Sequence, residues 1–421
     1  MRKHKKGSLF SFMKKIGPGL VTGASDDDPS GIATYSQAGA AYGLSTLWTV
    51  WLTIPLMAAI QQMCARIGLI TEKGLTGTLK TYYPRPVLWG MLLFSTPAII
   101  MNIGADIAGM GAVGHLLFPQ VDAVYFSVFF TLLLLGLIIY LPYQKMARIL
   151  KYLCIVMLVY LVVPFLVKQD FGAIVTKSII PTVHWDVAFL SILVGILGTT
   201  ISPYLFFWQA SVEVEEMKQK KKHLMVNKKL IHAIDQDVDF GMGISGLVMY
   251  FIILTAGTVL FPAGIHQINT VEEAAKALQP LAGSAAYLLF ALGVIGTGLI
   301  AIPVLSGSLS FIAAETFGWE LGLDKKFHEA RSFYMIIALS LLLGLGMNYI
   351  GLSPVKALVY TAILYGLTAP VMIGIILHIA NNKRIMGEFT NTRKQNILGM
   401  AALLIMSVAA IALLYMEFVA D

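Results

Sequence analysis

The chain has 421 residues, of which 57% are hydrophobic and 13% charged, with a mean hydropathy of +0.77. Soluble domains carry roughly a quarter charged residues, so this composition does not clothe a soluble core of that size. The net charge of +7 does not mark a nucleic-acid binder, because the basic residues lie in short segments between apolar runs, where orientation signals belong.

The apolar runs reach about 20 residues or more, enough to cross roughly 30 Å of hydrocarbon. In lipid the backbone must satisfy its own hydrogen bonds, which leaves helices or a closed barrel. The runs lack the alternation of barrel strands, so the expectation is an all-α polytopic membrane protein. Met1-Arg2-Lys3-His4-Lys5-Lys6 resembles the basic end of a signal peptide, but the apolar stretch after it is short and runs into Asp26-Asp27-Asp28 without a cleavage site. It is read as a cytoplasmic N-terminus. Cys64 and Cys154 fall inside apolar runs and imply no disulfide framework.

Eleven spans are expected, at about 16–42, 45–68, 87–117, 122–142, 147–167, 187–213, 240–262, 283–316, 332–347, 354–380 and 396–418. The first contains an ionisable group at depth. Asp28 lies far enough beyond Lys15 to sit roughly 20 Å into the membrane, a costly place that marks a functional site. Pro29 lacks an N–H and disfavours helix at Asp28, and Gly31 relaxes the backbone further. The helix is expected to open there and free carbonyls beside a carboxylate. Asp26 and Asp27 either face an aqueous vestibule or pair with polar neighbours.

In the second span Gln61 and Gln62 read as interhelical glue. In the third, Asn102 and Asp106 are spaced i,i+4 on one face, as a polar lining or as helix-to-helix hydrogen bonding. The sixth span repeats the interruption at Thr199-Thr200-Ile201-Ser202-Pro203-Tyr204. Taken alone, Ser202-Pro203 is also the pattern of a simple kink. Glu213, Glu215 and Glu216 end this span as a solvated helix end or as a vestibule for cations. The segment 214–239 is expected to be a charged amphipathic loop. With the N-terminus inside, all of the 30 Lys and Arg except Lys168, Lys177, Lys276 and Lys356 fall on the cytoplasmic side, which supports the span count and puts the C-terminus outside. His115 and His378 lie near span ends and form no metal cluster.

Five spans separate one interrupted helix from its counterpart, and an odd number inverts the second copy. Paired broken helices in two halves point to a transporter's midplane site. The chain is read as one domain, 1–421, with repeat one at about 16–167, repeat two at about 187–380 and an extra, peripheral helix at about 396–418. No P-loop, hydrolase triad or zinc-spaced Cys/His set is present, which argues against a pump or a membrane enzyme.

These residues resemble the NRAMP divalent-metal transporters, which implies a LeuT-type 5+5 inverted repeat with an eleventh transmembrane helix. The likeness covers most of the chain and is densest in Gly17-Pro18-Gly19, the Asp28-Pro29 break, Ala38-Gly39, Tyr42-Gly43, Ala65-Arg66-Ile67-Gly68 and the Pro203 break. Where the family has Asp-Pro-Gly-Asn, this chain has Asp28-Pro29-Ser30-Gly31; where it has Ala-x-x-Met-Pro-His, the chain has Thr199-Thr200-Ile201-Ser202-Pro203-Tyr204. The third-helix Asp is kept as Asp106, while the family's Glu is Gly109, and a tenth-helix Gln aligns with Ala362. The pattern is similar to the NRAMP-related magnesium transporter branch.

The resemblance implies an ion among Asp28, Ser202, Thr199, Gly31 and Ser25, with Asp106, Asn102, Tyr204 and Asp27 behind it or in its vestibule. Loss of a soft thioether removes a filter against hard ions, and smaller residues enlarge the cavity. Mg²⁺ binds through one or two carboxylates and keeps several waters. Mg²⁺ uptake is therefore expected, with Mn²⁺ also carried and weak or absent proton coupling, since Tyr204 and Gly109 replace the family's proton-handling His and Glu. A proton-coupled Mn²⁺/Fe²⁺ symporter is the alternative, and an amino-acid or organic-cation carrier of the same fold a remote one. No cofactor and no nucleic acid are implied. The expected setting is the lipid bilayer of a bacterial plasma membrane, and a monomer is compatible with the sequence.

Overall fold

Every described segment of regular structure is helical, as the lipid-crossing argument requires. The computed structural model describes residues 18–141, 162–166, 170–219, 226–283 and 286–418. The interrupted first span is α1 (Pro18–Asp26) and α2 (Pro29–Tyr42). Then come α3 (Trp48–Thr71), a short α4 (Leu75–Tyr82), α5 (Arg85–Leu117), α6 (Ala123–Tyr140) and α7 (Phe171–Ile179). The interrupted sixth span is α8 (Val187–Thr200) and α9 (Pro203–Gln219), followed by α10 (Lys228–Val259). After short turns of helix at Val271–Ala275 and Gln279–Ala282 come α11 (Ala286–Phe317), α12 (Arg331–Gly346), α13 (Pro354–Asn381), a turn at Lys383–Met386, and α14 (Arg393–Phe418).

Among the described residues nine stretches are long and apolar enough to cross a membrane; the broken α1–α2 pair is not one of them, because each half is shorter than that. The fifth expected span, 147–167, lies outside the described residues apart from a 3-10 turn at Val163–Leu166. The remaining spans match expectation to within a few residues, with one exception. The segment 214–239 is not a long loop: α9 runs to Gln219 and α10 begins at Lys228, capped by the Asn227 side chain, which accepts from Leu230 N at 3.0 Å. Its charges read as loop by hydropathy, yet those at 215–218 and 228–239 lie on helices, while Lys220-Lys221-Lys222 falls outside the described residues. Asp237 Oδ2 accepts from Gly19 N at 2.7 Å, and Asp239 Oδ1 from Gln62 Nε2 at 2.7 Å.

The first span seals against α10 through glycine. A Cβ on Gly241 would stand 2.0 Å from the Gly19 carbonyl oxygen, and one on Gly23 would stand 2.3 Å from that of Gly241. Only bare backbone allows so close a crossing. The last described helix, α14, packs on α3, α8 and α13. It is pinned to α3 by Arg66, which is 4% exposed and donates to Gln395 Oε1 at 2.8 Å and Asn391 Oδ1 at 2.5 Å. Such a buried guanidinium requires these acceptors.

Candidate functional site

Both interruptions are built alike. Each leaves two residues outside helix, 27–28 and 201–202, and each second half starts on a proline, Pro29 and Pro203. Proline suits a first helical position because its missing N–H would be unpaired there anyway. Asp28 is the N-cap of α2: its Oδ1 accepts from Gly31 N at 2.6 Å, a contact usually worth about 1 kcal/mol.

The two breaks cross. Tyr204, in the first turn of α9, donates its hydroxyl to the Ser25 carbonyl in the last turn of α1 at 2.5 Å. Reciprocally, the first turns of α2 face the end of α8: Tyr35 and Thr200 hydroxyls lie 3.2 Å apart, and a Cβ on Gly31 would stand 3.3 Å from Thr199 Oγ1. The C-terminal ends of α1 and α8 thus bring carbonyl oxygens, the negative ends of their dipoles, to the same mid-chain crossing.

From α5 the third span completes the centre. Asn102 Nδ2 donates to Asp28 Oδ2 at 2.7 Å and to Asp106 Oδ2 at 3.2 Å, so one amide joins two carboxylates. Asp28 is 2% exposed, and Asn102 and Asp106 are 0% exposed, so neither face of the molecule reaches them. Asn102 Oδ1, Asp106 Oδ1 and the Tyr365 hydroxyl are buried without a hydrogen-bond partner. Unpaired buried oxygens are costly, and their concentration beside a carboxylate is what a cation would relieve.

The structure places the remaining sequence-derived residues as follows. Ser202 turns its hydroxyl back to the Thr199 carbonyl at 2.5 Å, and Ser25 bonds the Thr22 carbonyl at 2.9 Å. Asp27 diverges from Asp28: it and Asp26 share the Ser245 hydroxyl on α10, at 3.3 and 2.8 Å. Of the two alternatives for these aspartates, pairing with a polar neighbour is the one found. Asn102 contacts Asp28 directly and is not only Asp106's neighbour. Glu213 and Glu215 are not a solvated helix end; both are buried, Glu213 accepting from Gln209 Nε2 at 2.8 Å and Glu215 from Leu323 N at 2.7 Å. His115 and His378 bond the Val121 carbonyl and Tyr83, respectively. Among the described residues no three His, Cys, Asp or Glu side chains converge in a metal-holding group.

Sequence reasoning missed Ser30, Thr361 and Tyr365. Ser30 Oγ donates to the Leu358 carbonyl at 2.9 Å and lies 3.3 Å from Thr361 Oγ1, joining α2 to α13. Tyr365 packs on Tyr204 with ring centroids 5.8 Å apart. Its spacing offered a signal, since it lies three residues after Ala362, on the same helical face. Gly109 meets Leu358, whose Cδ1 would be 3.1 Å from an added Cβ, so that position is filled by hydrocarbon.

A helical bundle with two crossed, interrupted helices and buried carboxylates at the crossing is a multi-pass membrane transporter, not an enzyme. The chain belongs to the Nramp family (natural resistance-associated macrophage protein-like), which it matches over residues 19–416. It is 27% identical over 396 residues to the divalent metal cation transporter MntH of Klebsiella pneumoniae, covering 91% of this chain and 89% of that one. The MntH of Caldanaerobacter subterraneus is 24% identical, covering 93% and 90%. In fold it is similar to the Eremococcus coleocola manganese transporter, with a TM-score of 0.78 at 16% identity over 100% of this chain and 90% of that one. The inward-facing structure of Mhp1, also of LeuT fold, aligns with a TM-score of 0.53 at 12% identity, over 96% and 91% of the two chains.

Proposed function

We propose that this chain carries divalent metal ions, Mg²⁺ foremost and Mn²⁺ as a second substrate, by alternating access and with little or no proton coupling. The relatives named divalent metal cation transporters support the coarser part of this reading. One observation carries the finer part: Asp28 is joined through Asn102 to Asp106, while Gly31, Ser202, Gly109 and Ala362 stand where the family pattern has larger polar or thioether groups. A hydroxyl at Ser202 in place of the family's thioether removes a soft ligand, which favours a hard ion, and Mg²⁺ tolerates a site in which waters complete its shell. The ion is cargo, and no resident cofactor enters the proposal.

Little proton coupling follows from the same residues. Tyr204 spends its hydroxyl on the Ser25 carbonyl, and Gly109 faces Leu358. Flux would then follow the ion's own gradient, to which a potential of 100 mV adds roughly 4.6 kcal/mol for two charges. The test is Mg²⁺ and Mn²⁺ uptake into proteoliposomes with a pH-sensitive dye inside. Mg²⁺ uptake without acidification is expected; robust Mn²⁺-driven acidification with no Mg²⁺ flux would overturn it.

A proton-coupled Mn²⁺ symporter is the second reading. Its support is the pair of carboxylates sharing the Asn102 amide, which could hold a proton in place of the missing His and Glu.

A further inference from the structure

A cavity that shares no lining residue with the Asp28 site lies at the end of the bundle that the basic loops assign to the cytoplasm. It has a volume of about 450 Å³ and is walled by α4 with the loop before it, the end of α9, and the end of α11 with the turn that follows. That volume is in the range of sites for small organic ligands. Three ammonium groups surround it, on Lys73, Lys80 and Lys218.

Among the described residues none of these lysines forms a direct ion pair, although Lys73 and Lys218 lie near enough to the Glu315 carboxylate, and Lys218 to Glu215 and Glu320, to interact with them. Lys73 Nζ donates to the Thr81 hydroxyl at 2.8 Å and Lys80 Nζ to the Glu315 backbone carbonyl at 3.3 Å. The ion pairs among the described residues at this end are Lys325 with Glu320 and His328 with Glu329, and neither involves the three lysines. Glu315 lies in the floor of the cavity, but its carboxylate already caps α4, accepting from Gly74 N at 2.6 Å and Gly77 N at 2.8 Å. Its charge is thereby met by the helix N-terminus. Glu72, at the rim, leaves the lysines in excess.

An independent observation points to a ligand. Ser211, 3% exposed, lines the cavity, and its buried hydroxyl has no hydrogen-bond partner. Buried hydroxyls are nearly always paired, so an unpaired one at a cavity wall marks a place for an acceptor. Trp319 adds an aromatic wall, and its ring stacks on Phe317 at 4.9 Å. Lysines, a free hydroxyl and an aromatic plate together fit a phosphate with an organic group attached.

We propose that this cavity is a regulatory site for a phosphate-bearing anion, either a soluble nucleotide or the headgroup of an acidic phospholipid. A ligand there would tie α4, α9 and α11 together and favour whichever carrier conformation keeps them in contact. It makes no demand on which metal is carried, so it stands or falls apart from the function proposed above.

The test uses the full-length protein, with Lys73→Gln/Lys218→Gln and Ser211→Ala as variants. ADP binding is followed by calorimetry in a neutral detergent. Phosphatidylglycerol is compared with phosphatidylcholine by thermal stability and by metal uptake from vesicles of each composition. At least tenfold weaker ADP binding in the double variant supports a nucleotide site. A melting-temperature rise and altered uptake rate with phosphatidylglycerol, both lost in the double variant, support a lipid headgroup. Ser211→Ala keeps all three charges and separates loss of the hydroxyl from loss of fold; it is expected to weaken either response severalfold. If neither probe distinguishes the double variant from the parent, and both proteins fold and transport metal, the proposal is wrong.

Discussion

Replacing Asp28 by Asn tests the centre of the site with the least disturbance to the fold. The side-chain oxygen that the Asp28→Asn variant retains can still accept from Gly31 N, so the cap on α2 survives. The amide introduced by the substitution would face Asn102 Nδ2, donor against donor, unless the Asn102 amide turns over. Turning it over satisfies position 28 at the expense of the weaker 3.2 Å bond to Asp106. The structural cost is then about 1.5–3 kcal/mol, one hydrogen bond to a charged group, and the protein is expected to fold. The loss to the ion is larger. Two unit charges about 4 Å apart interact by roughly 4 kcal/mol at an effective dielectric of 20, and a divalent ion doubles this. Even half of that sum left after hydration makes the apparent affinity about a thousandfold weaker. The assay is initial Mg²⁺ influx into proteoliposomes over a wide concentration range, with melting temperature as the folding control. A D28N protein that folds and transports with a KM within threefold of the parent would refute the assignment of Asp28.

Three further outcomes are expected. Ser202→Met together with Gly31→Asn should shift the Mn²⁺-to-Mg²⁺ flux ratio toward Mn²⁺ by tenfold or more, because a thioether and an amide return to a cavity now lined by small groups; Gly31→Asn alone must press on Thr199 Oγ1, 3.3 Å from the new Cβ. An unchanged ratio in the folded double variant would remove the selectivity argument. Gly241→Ala should slow uptake and cost about 1–3 kcal/mol of stability, since its Cβ would lie 2.0 Å from the Gly19 carbonyl oxygen and α1 must move outward to admit it; an unchanged melting curve and rate would show the seal to be unimportant. Arg66→Leu should destabilise by about 2–4 kcal/mol, leaving Asn391 Oδ1 without its donor and Gln395 Oε1 with Thr392 alone, yet leave the KM for metal unchanged. A raised KM with normal stability would contradict that structural role.

The sequence by itself determined the helical membrane class, most span positions and both interruptions, for local reasons. A run of about 20 apolar residues has few alternatives in lipid, and a proline breaks a helix wherever the chain then goes. Family membership was legible in the same short motifs. The direction in which each polar side chain turns was not. Asp26, Asp27 and Asp28 are consecutive in the chain, yet the first two meet Ser245 on α10 while the third meets Asn102 on α5. The Ser202 hydroxyl donates its proton to the Thr199 carbonyl, which leaves its oxygen lone pairs open, and residue identity alone does not give that orientation. Glu215 and Asp237 read as solvated charge because hydropathy registers composition and not neighbours, whereas the fold buries one against Leu323 N and sets the other on the N-terminus of α1. The break at Asp28 thus belongs to the sequence, while the Asn102 amide joining it to Asp106 exists only because α5 packs beside the first span. Such contacts join residues distant in the chain, and only tertiary packing decides which of the available donors arrives.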